Sequence, residues 1–263
     1  MIYKFDIYDN YYSWWKNIDK TILIFVISFF IAGLFFSLAS TSLIASDRLN
    51  TNSYYFFVKH LSFILLGFLI MFVFSLIKEE LLIKISIGLF IFSLILLFLV
   101  PLIGEEVKGS KRWLDLPFLP RFQPVELIKP FYIVILASLL NYQKYNLYFK
   151  YFLSLLTIIP IVLLLMSQPD LGQSILIILT WLVLIFISGI NLLIFFGLFG
   201  FFITIISYLI FFVEKFNYIK IRIASFFDNS SNSYSQAEKA SEAIINGGFF
   251  GKGIGEGTLN SKI

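Results

Sequence analysis

Apolar runs of bilayer length alternate with short polar breaks along most of this chain. A helix that crosses the hydrocarbon core needs about 20 such residues. On that ruler seven spans are predicted, near residues 21–45, 58–77, 81–103, 124–140, 151–167, 173–189 and 191–213. The breaks read SDRLNTNSYY, KEE, a long basic stretch reaching Pro130, NYQKYNLYFK, SQPDLGQ and SGIN. The expected fold is therefore all-α, a polytopic transmembrane helical bundle. Residues 1–20 interleave Tyr, Trp and charge as an interfacial, cytoplasmic tail would, and 21–213 form the bundle. Residues 214–263 turn to Ser, Asn, Gly and charge and read as an incomplete loop outside the membrane.

Composition agrees with the pattern. Hydrophobic residues make up 59% and charged residues 14% of 263 positions, and the mean hydropathy is +0.90. A soluble domain carries nearer a quarter charged residues. There is no cysteine and a single histidine, His60, so thiol catalysis and a thiolate or multi-histidine metal site are excluded. The net charge of +4 is spread out, with no basic arm, so nucleic acid is not an expected partner.

Charge placed between or inside spans carries the candidate chemistry, because a membrane penalises it unless it is paired or faces a polar cavity. Lys108, Lys111 and Arg112 with Trp113 form a basic-aromatic cluster after the third span, suited to holding phosphate oxygens or to interfacial anchoring. Then comes Arg121-Phe-Gln-Pro-Val-Glu-Leu-Ile-Lys129, in which Pro124 suits the first turn of a helix. Gln123, Glu126 and Lys129 recur every three residues and share a face, as ligand contacts or as a self-neutralising pair that staples helices. Gln168-Pro-Asp-Leu-Gly172 joins spans five and six. Its Asp170 falls where a helix N-terminus favours an anion, as a cap or as part of a site.

In the tail, Ser235-Gln-Ala-Glu238 spells a capping box and Asn246-Gly247-Gly248 a stop, so a short helix is predicted between them. The following Gly-rich run lacks the spacing of a phosphate-binding P-loop and is expected to be a loop over a site.

Together and in this order, GSKRWLDL with RFQPVELIK, QPDLGQSIL with FISG, and RIASFFD with SEAIINGGFFGKGIGEGT resemble the SEDS family (shape, elongation, division and sporulation proteins). The spelling leans toward the division branch. The resemblance implies a ten-span glycosyltransferase of the bacterial inner membrane that polymerises lipid II, the undecaprenyl-pyrophosphate-linked disaccharide peptide, into peptidoglycan. It also implies a class B penicillin-binding protein and other divisome proteins as partners, and chemistry on the periplasmic side. Arg121 and Lys129 match the family's functionally important Arg and Lys; Val125 replaces its usual small residue. The family's presumed base lies in a His-Thr-Asp-Phe-like stretch beyond Ile263, so the resemblance implies a fragment, a split gene or a truncated copy, inactive by itself and with no catalytic residue of its own.

The expected substrate-binding set is Lys111, Arg112, Arg121, Gln123, Glu126, Lys129, Gln168 and Asp170, with no metal-ligating residue. A divalent cation, Mg or Mn, is a further expectation at the pyrophosphate. A lipid II flippase or a non-catalytic divisome scaffold would suit the same features. With a cytoplasmic N-terminus, inner segments hold Lys4, Lys16, Lys20, Lys78, Lys84, Lys144 and Lys150, against Arg48, Lys59, Lys108, Lys111, Arg112 and Arg121 outside. That contrast is slight under the positive-inside rule.

Overall fold

The computed structural model describes residues 14–38, 52, 54–107, 110–115, 117, 120–227, 236–249 and 251. The helices are α1 (Lys20–Phe36), α2 (Tyr55–Ser75), α3 (Glu79–Ile103), α4 (Pro124–Asn141), α5 (Leu147–Ser167), α6 (Leu171–Ile187) and α7 (Leu192–Phe212). After them come a 3-10 turn (Glu214–Phe216), α8 (Asn217–Phe227) and α9 (Gln236–Gly247). One hairpin, β1 (Glu105–Val107) with β2 (Ser110–Trp113), joins α3 to α4.

Among the described residues, five helices are long and apolar enough to cross a membrane: α2, α3, α4, α5 and α7. The predicted first and sixth spans correspond to shorter apolar helices, α1 and α6, of 17 residues each. The end of the first predicted span lies outside the described residues. The hairpin is not expected from the sequence, nor is α8, whose residues group by composition with the polar tail. The capping-box helix does form, as α9, and it stops where Asn246-Gly247-Gly248 predicts. Gly248 takes φ +63 and its N–H closes on the Ile244 carbonyl, a left-handed cap suited to glycine.

The chain divides into two compact units, residues 1–77 with 231–263, and residues 78–230. In the first, α1 and α2 meet through Phe30 and Phe68, with ring centroids 4.9 Å apart. Trp14 donates its indole N–H to Ser75 and packs edge-on against Phe72.

The second unit holds the core and the candidate site. Its centre is built by one stripe from each of α3 to α6: Leu97; Val125, Ile128, Tyr132 and Leu136; Ile158, Ile161 and Leu165; Ile177, Trp181 and Ile185. Trp181 is fully buried and gives its indole N–H to Ser154, whose hydroxyl in turn reaches the Tyr151 carbonyl. Inside hydrocarbon each polar group needs such a partner. The outward faces are apolar too, and α7 buries no residue, as expected of helices solvated by lipid.

A second, smaller cluster fixes the hairpin. Leu114 packs on Leu96 and Val100 at the end of α3. Its backbone pairs with Phe122, which returns the chain to the start of α4. Gly104 sits at the corner, where an added Cβ would lie 2.4 Å from the Val100 carbonyl oxygen and 3.1 Å from that of Trp113. Only glycine allows that approach.

Candidate functional site

Helix direction places the hairpin, the start of α4, the Gln168–Asp170 turn and the segment after α7 at one end of the second unit. The hairpin, the Gln168–Asp170 turn with the start of α6, and the segment after α7 enclose a cleft of about 1160 Å³ lined by Lys111, Arg112, Trp113, Asp170, Lys215 and Tyr218, among others.

Lys111 and Arg112 are neighbours, so in an unbroken strand their side chains would point to opposite faces. Here Glu105 pairs with Trp113 and Glu106 with Lys111, which leaves Arg112 as the extra residue of a bulge. A bulge re-aims a side chain, and both cations reach the same cleft.

Arg112 then engages the turn that opens α6. Its Nη2 donates to the Pro169 carbonyl at 2.6 Å, and its Nε lies 3.7 Å from Asp170 Oδ2. Asp170 is buried and caps α6, its Oδ1 accepting from the Gln173 N–H, while its Oδ2 accepts from Gln123 Nε2 at 3.0 Å. The cap expected at Asp170 is present, and the same carboxylate also anchors Arg112.

Two further contacts come from the segment after α7. Lys215 Nζ donates to the Ser167 carbonyl, and Tyr218 Oη to that of Pro169 at 3.0 Å. Carbonyls at a helix C-terminus lack intrahelical partners and carry partial negative charge, so a cation and a hydroxyl are apt donors. Sequence reasoning passes over both residues; a Lys and a Tyr just past an apolar helix are the available signal.

The other expected residues stand differently. Gln168 is buried, and its amide donates to the Leu97 carbonyl at 3.0 Å. Pro101, four residues on, supplies no N–H to that carbonyl, so Gln168 repairs a gap in α3. Arg121 pairs with Glu105 at 2.7 Å and lies over the Trp113 ring, 5.9 Å from its centroid. Lys129 pairs with Glu126 at 2.6 Å, and Gln173 bonds both, donating to Glu126 and accepting from Lys129. Gln123, Glu126 and Lys129 do share a face, and it meets α6. Of the eight residues, Lys111, Arg112, Gln168 and Asp170 line the cleft, whereas Arg121, Gln123, Glu126 and Lys129 lie outside its lining.

No group of three or more His, Cys, Asp or Glu that could hold a metal occurs among the described residues. Asp170 has both oxygens committed, and Glu106 is the other carboxylate among the described residues that line the cleft. These donors do not fit a resident divalent cation.

Comparison with known proteins decides the family. The FtsW/RodA/SpoVE family model, described as a cell cycle protein, matches residues 19–262. The chain belongs to this family. It is 32% identical over 251 residues to the probable peptidoglycan glycosyltransferase FtsW of Coxiella burnetii, covering 92% of this chain and 66% of that protein. The namesake from Wigglesworthia glossinidia brevipalpis is 31% identical, with 92% and 63% covered. The chain thus spans just under two thirds of the length of these relatives.

Among solved structures, a peptidoglycan synthase complex engaged in polymerization and crosslinking contains a chain that matches with a TM-score of 0.69. Identity there is 26%, over 90% of this chain and 67% of that one. The rod shape determining protein RodA of Thermus thermophilus matches with a TM-score of 0.56 and 26% identity, over 70% and 59%. The FtsW/RodA/SpoVE membership, with the apolar helices, makes this a multi-pass membrane protein of the SEDS type, similar to FtsW.

Proposed function

We propose that the cleft binds the pyrophosphate of lipid II on the periplasmic face of the bacterial inner membrane, with the N-terminus cytoplasmic. On this reading the chain serves glycan polymerisation at the division septum; its FtsW relatives are named probable peptidoglycan glycosyltransferases. The observation that carries the reading is the convergence of Lys111, Arg112 and Lys215 on one cleft at the end of an apolar bundle. In the transfer, the 4-hydroxyl of one sugar displaces the lipid pyrophosphate of another. Its proton goes to a base, and negative charge develops on the leaving group. Fixed cations lower that barrier when they are already in place.

On this reading the chain's own residues grip the substrate. Asp170 and Glu126 are engaged by Arg112, Gln123, Lys129 and Gln173, so neither is assigned as the base. A class B penicillin-binding protein and other divisome proteins are the proposed partners, in keeping with the synthase complex among the structural matches.

A flippase would need a polar path across the hydrocarbon. Between α3 and α6 the buried centre is instead filled by Leu97, Ile128, Leu136, Ile158, Ile161 and Trp181. That filling favours binding at one face.

Titration of the purified chain with fluorescent lipid II tests the reading. Wild type should bind it well above phosphatidylglycerol, and Lys111→Ala with Arg112→Ala should weaken binding on the order of 10- to 100-fold, as for charge-assisted bonds. Equal binding of the two lipids by wild type would overturn it.

A further inference from the structure

Among the described residues, two cations of the cleft have no carboxylate to cancel them. Lys111 has no hydrogen-bond or ion-pair partner among the described residues, and its cross-strand neighbour Glu106 does not bridge to it. Lys215 donates to the Ser167 carbonyl, a neutral acceptor that orients the ammonium without neutralising it. Its chain neighbour Glu214 makes no ion pair with it. Arg112, by contrast, is partly offset by Asp170. The two uncompensated ammonium groups reach the cleft from different walls, Lys111 from the hairpin and Lys215 from the turn that follows α7.

We infer that Lys111 and Lys215 form a two-point clamp for a diphosphate, and that Lys215 sets a preference for diphosphate over monophosphate lipids. This rests on the anion-binding reading given above. A lysine ammonium has three donors; Lys215 spends one on Ser167 and keeps two for phosphate oxygens. A diphosphate offers each wall an anionic group. A monophosphate held at the Lys111 wall leaves Lys215 with nothing to bind. Lys215 is exposed and its protein partner is a backbone atom, so its replacement should leave the fold intact.

The experiment titrates the full chain in detergent with undecaprenyl diphosphate and, separately, undecaprenyl monophosphate, read by native mass spectrometry. Wild type should favour the diphosphate by about tenfold, the worth of one charge-assisted contact. Lys215→Met should lose that preference by weakening the diphosphate alone, and Lys215→Arg should restore it. Equal weakening of both lipids by Lys215→Met would reduce Lys215 to a prop for the Ser167 turn and overturn the clamp. So would no change in either. If Lys111→Met weakens lipid II while Lys215→Met leaves the preference untouched, only the clamp fails. If wild type binds neither diphosphate lipid, the functional reading fails with it.

Discussion

Gln168 completes a hydrogen bond that Pro101 breaks. Proline at 101 leaves the Leu97 carbonyl without its helical donor, and the buried Gln168 amide fills it at 3.0 Å from the turn after α5. Gln168→Ala should therefore cost about 1–3 kcal/mol, the penalty of an unsatisfied buried acceptor. In a Pro101→Ala background the helix supplies its own N–H, so the same change should cost much less. Thermal unfolding in detergent, followed by tryptophan fluorescence, measures the cycle. Equal losses in the two backgrounds would show that Gln168 acts some other way.

Asp170 joins three segments, by capping α6, accepting from Gln123 and facing Arg112. Asp170→Ala removes a cap and a charge-assisted bond, an expected loss of about 2–3 kcal/mol. Asp170→Asn keeps a capping oxygen and should lose about 1 kcal/mol. Lipid II binding should fall in both, since Arg112 loses one of its two contacts with the turn and keeps the Pro169 carbonyl. A stable, fully binding Asp170→Ala protein would contradict this account.

The Glu126–Lys129 pair gives a different outcome from the cleft cations. The two neutralise each other at 2.6 Å and share Gln173. Both are partly exposed, so a double-mutant cycle with Glu126→Gln and Lys129→Met should show a coupling of about 1 kcal/mol or less. If the pair is a staple, removing both partners should cost little more than removing one. Loss of lipid II binding in the single variants at unchanged stability would restore Lys129 to the substrate site.

These contrasts mark what can be read from the residues alone. The apolar runs are legible because burial in lipid demands a fixed length of them, and Pro124 and Asp170 are legible because helix starts have local chemistry. The hairpin is not, since strands of three and four residues carry too little periodicity. That hides the bulge at Arg112, without which its placement beside Lys111 cannot be foreseen. Partners distant in sequence are equally hidden. Arg121 looks available for a ligand until the fold brings Glu105 to it, and Gln168 until it brings Leu97. Lys215 lies 48 residues from Ser167 and gives no local sign of its target.

Orientation decides whether the cleft can meet its proposed substrate, and the chain is well suited to the test because it contains no cysteine. Asp115, just past β2, and Lys144, in the turn between α4 and α5, are both exposed. They flank opposite ends of α4, whose 18 residues span about 27 Å at 1.5 Å each. In spheroplasts, a membrane-impermeant maleimide should label Asp115→Cys from outside, and Lys144→Cys only after lysis. Both substitutions avoid the cleft cations, so lipid binding should be unchanged and report that the fold is kept. The slight excess of inner positive charge makes this an informative measurement, because the positive-inside rule alone separates the two orientations poorly here. Labelling in the reverse order would put Lys111, Arg112 and Lys215 in the cytoplasm. A lipid carrying its sugars on the outer face would then be out of their reach.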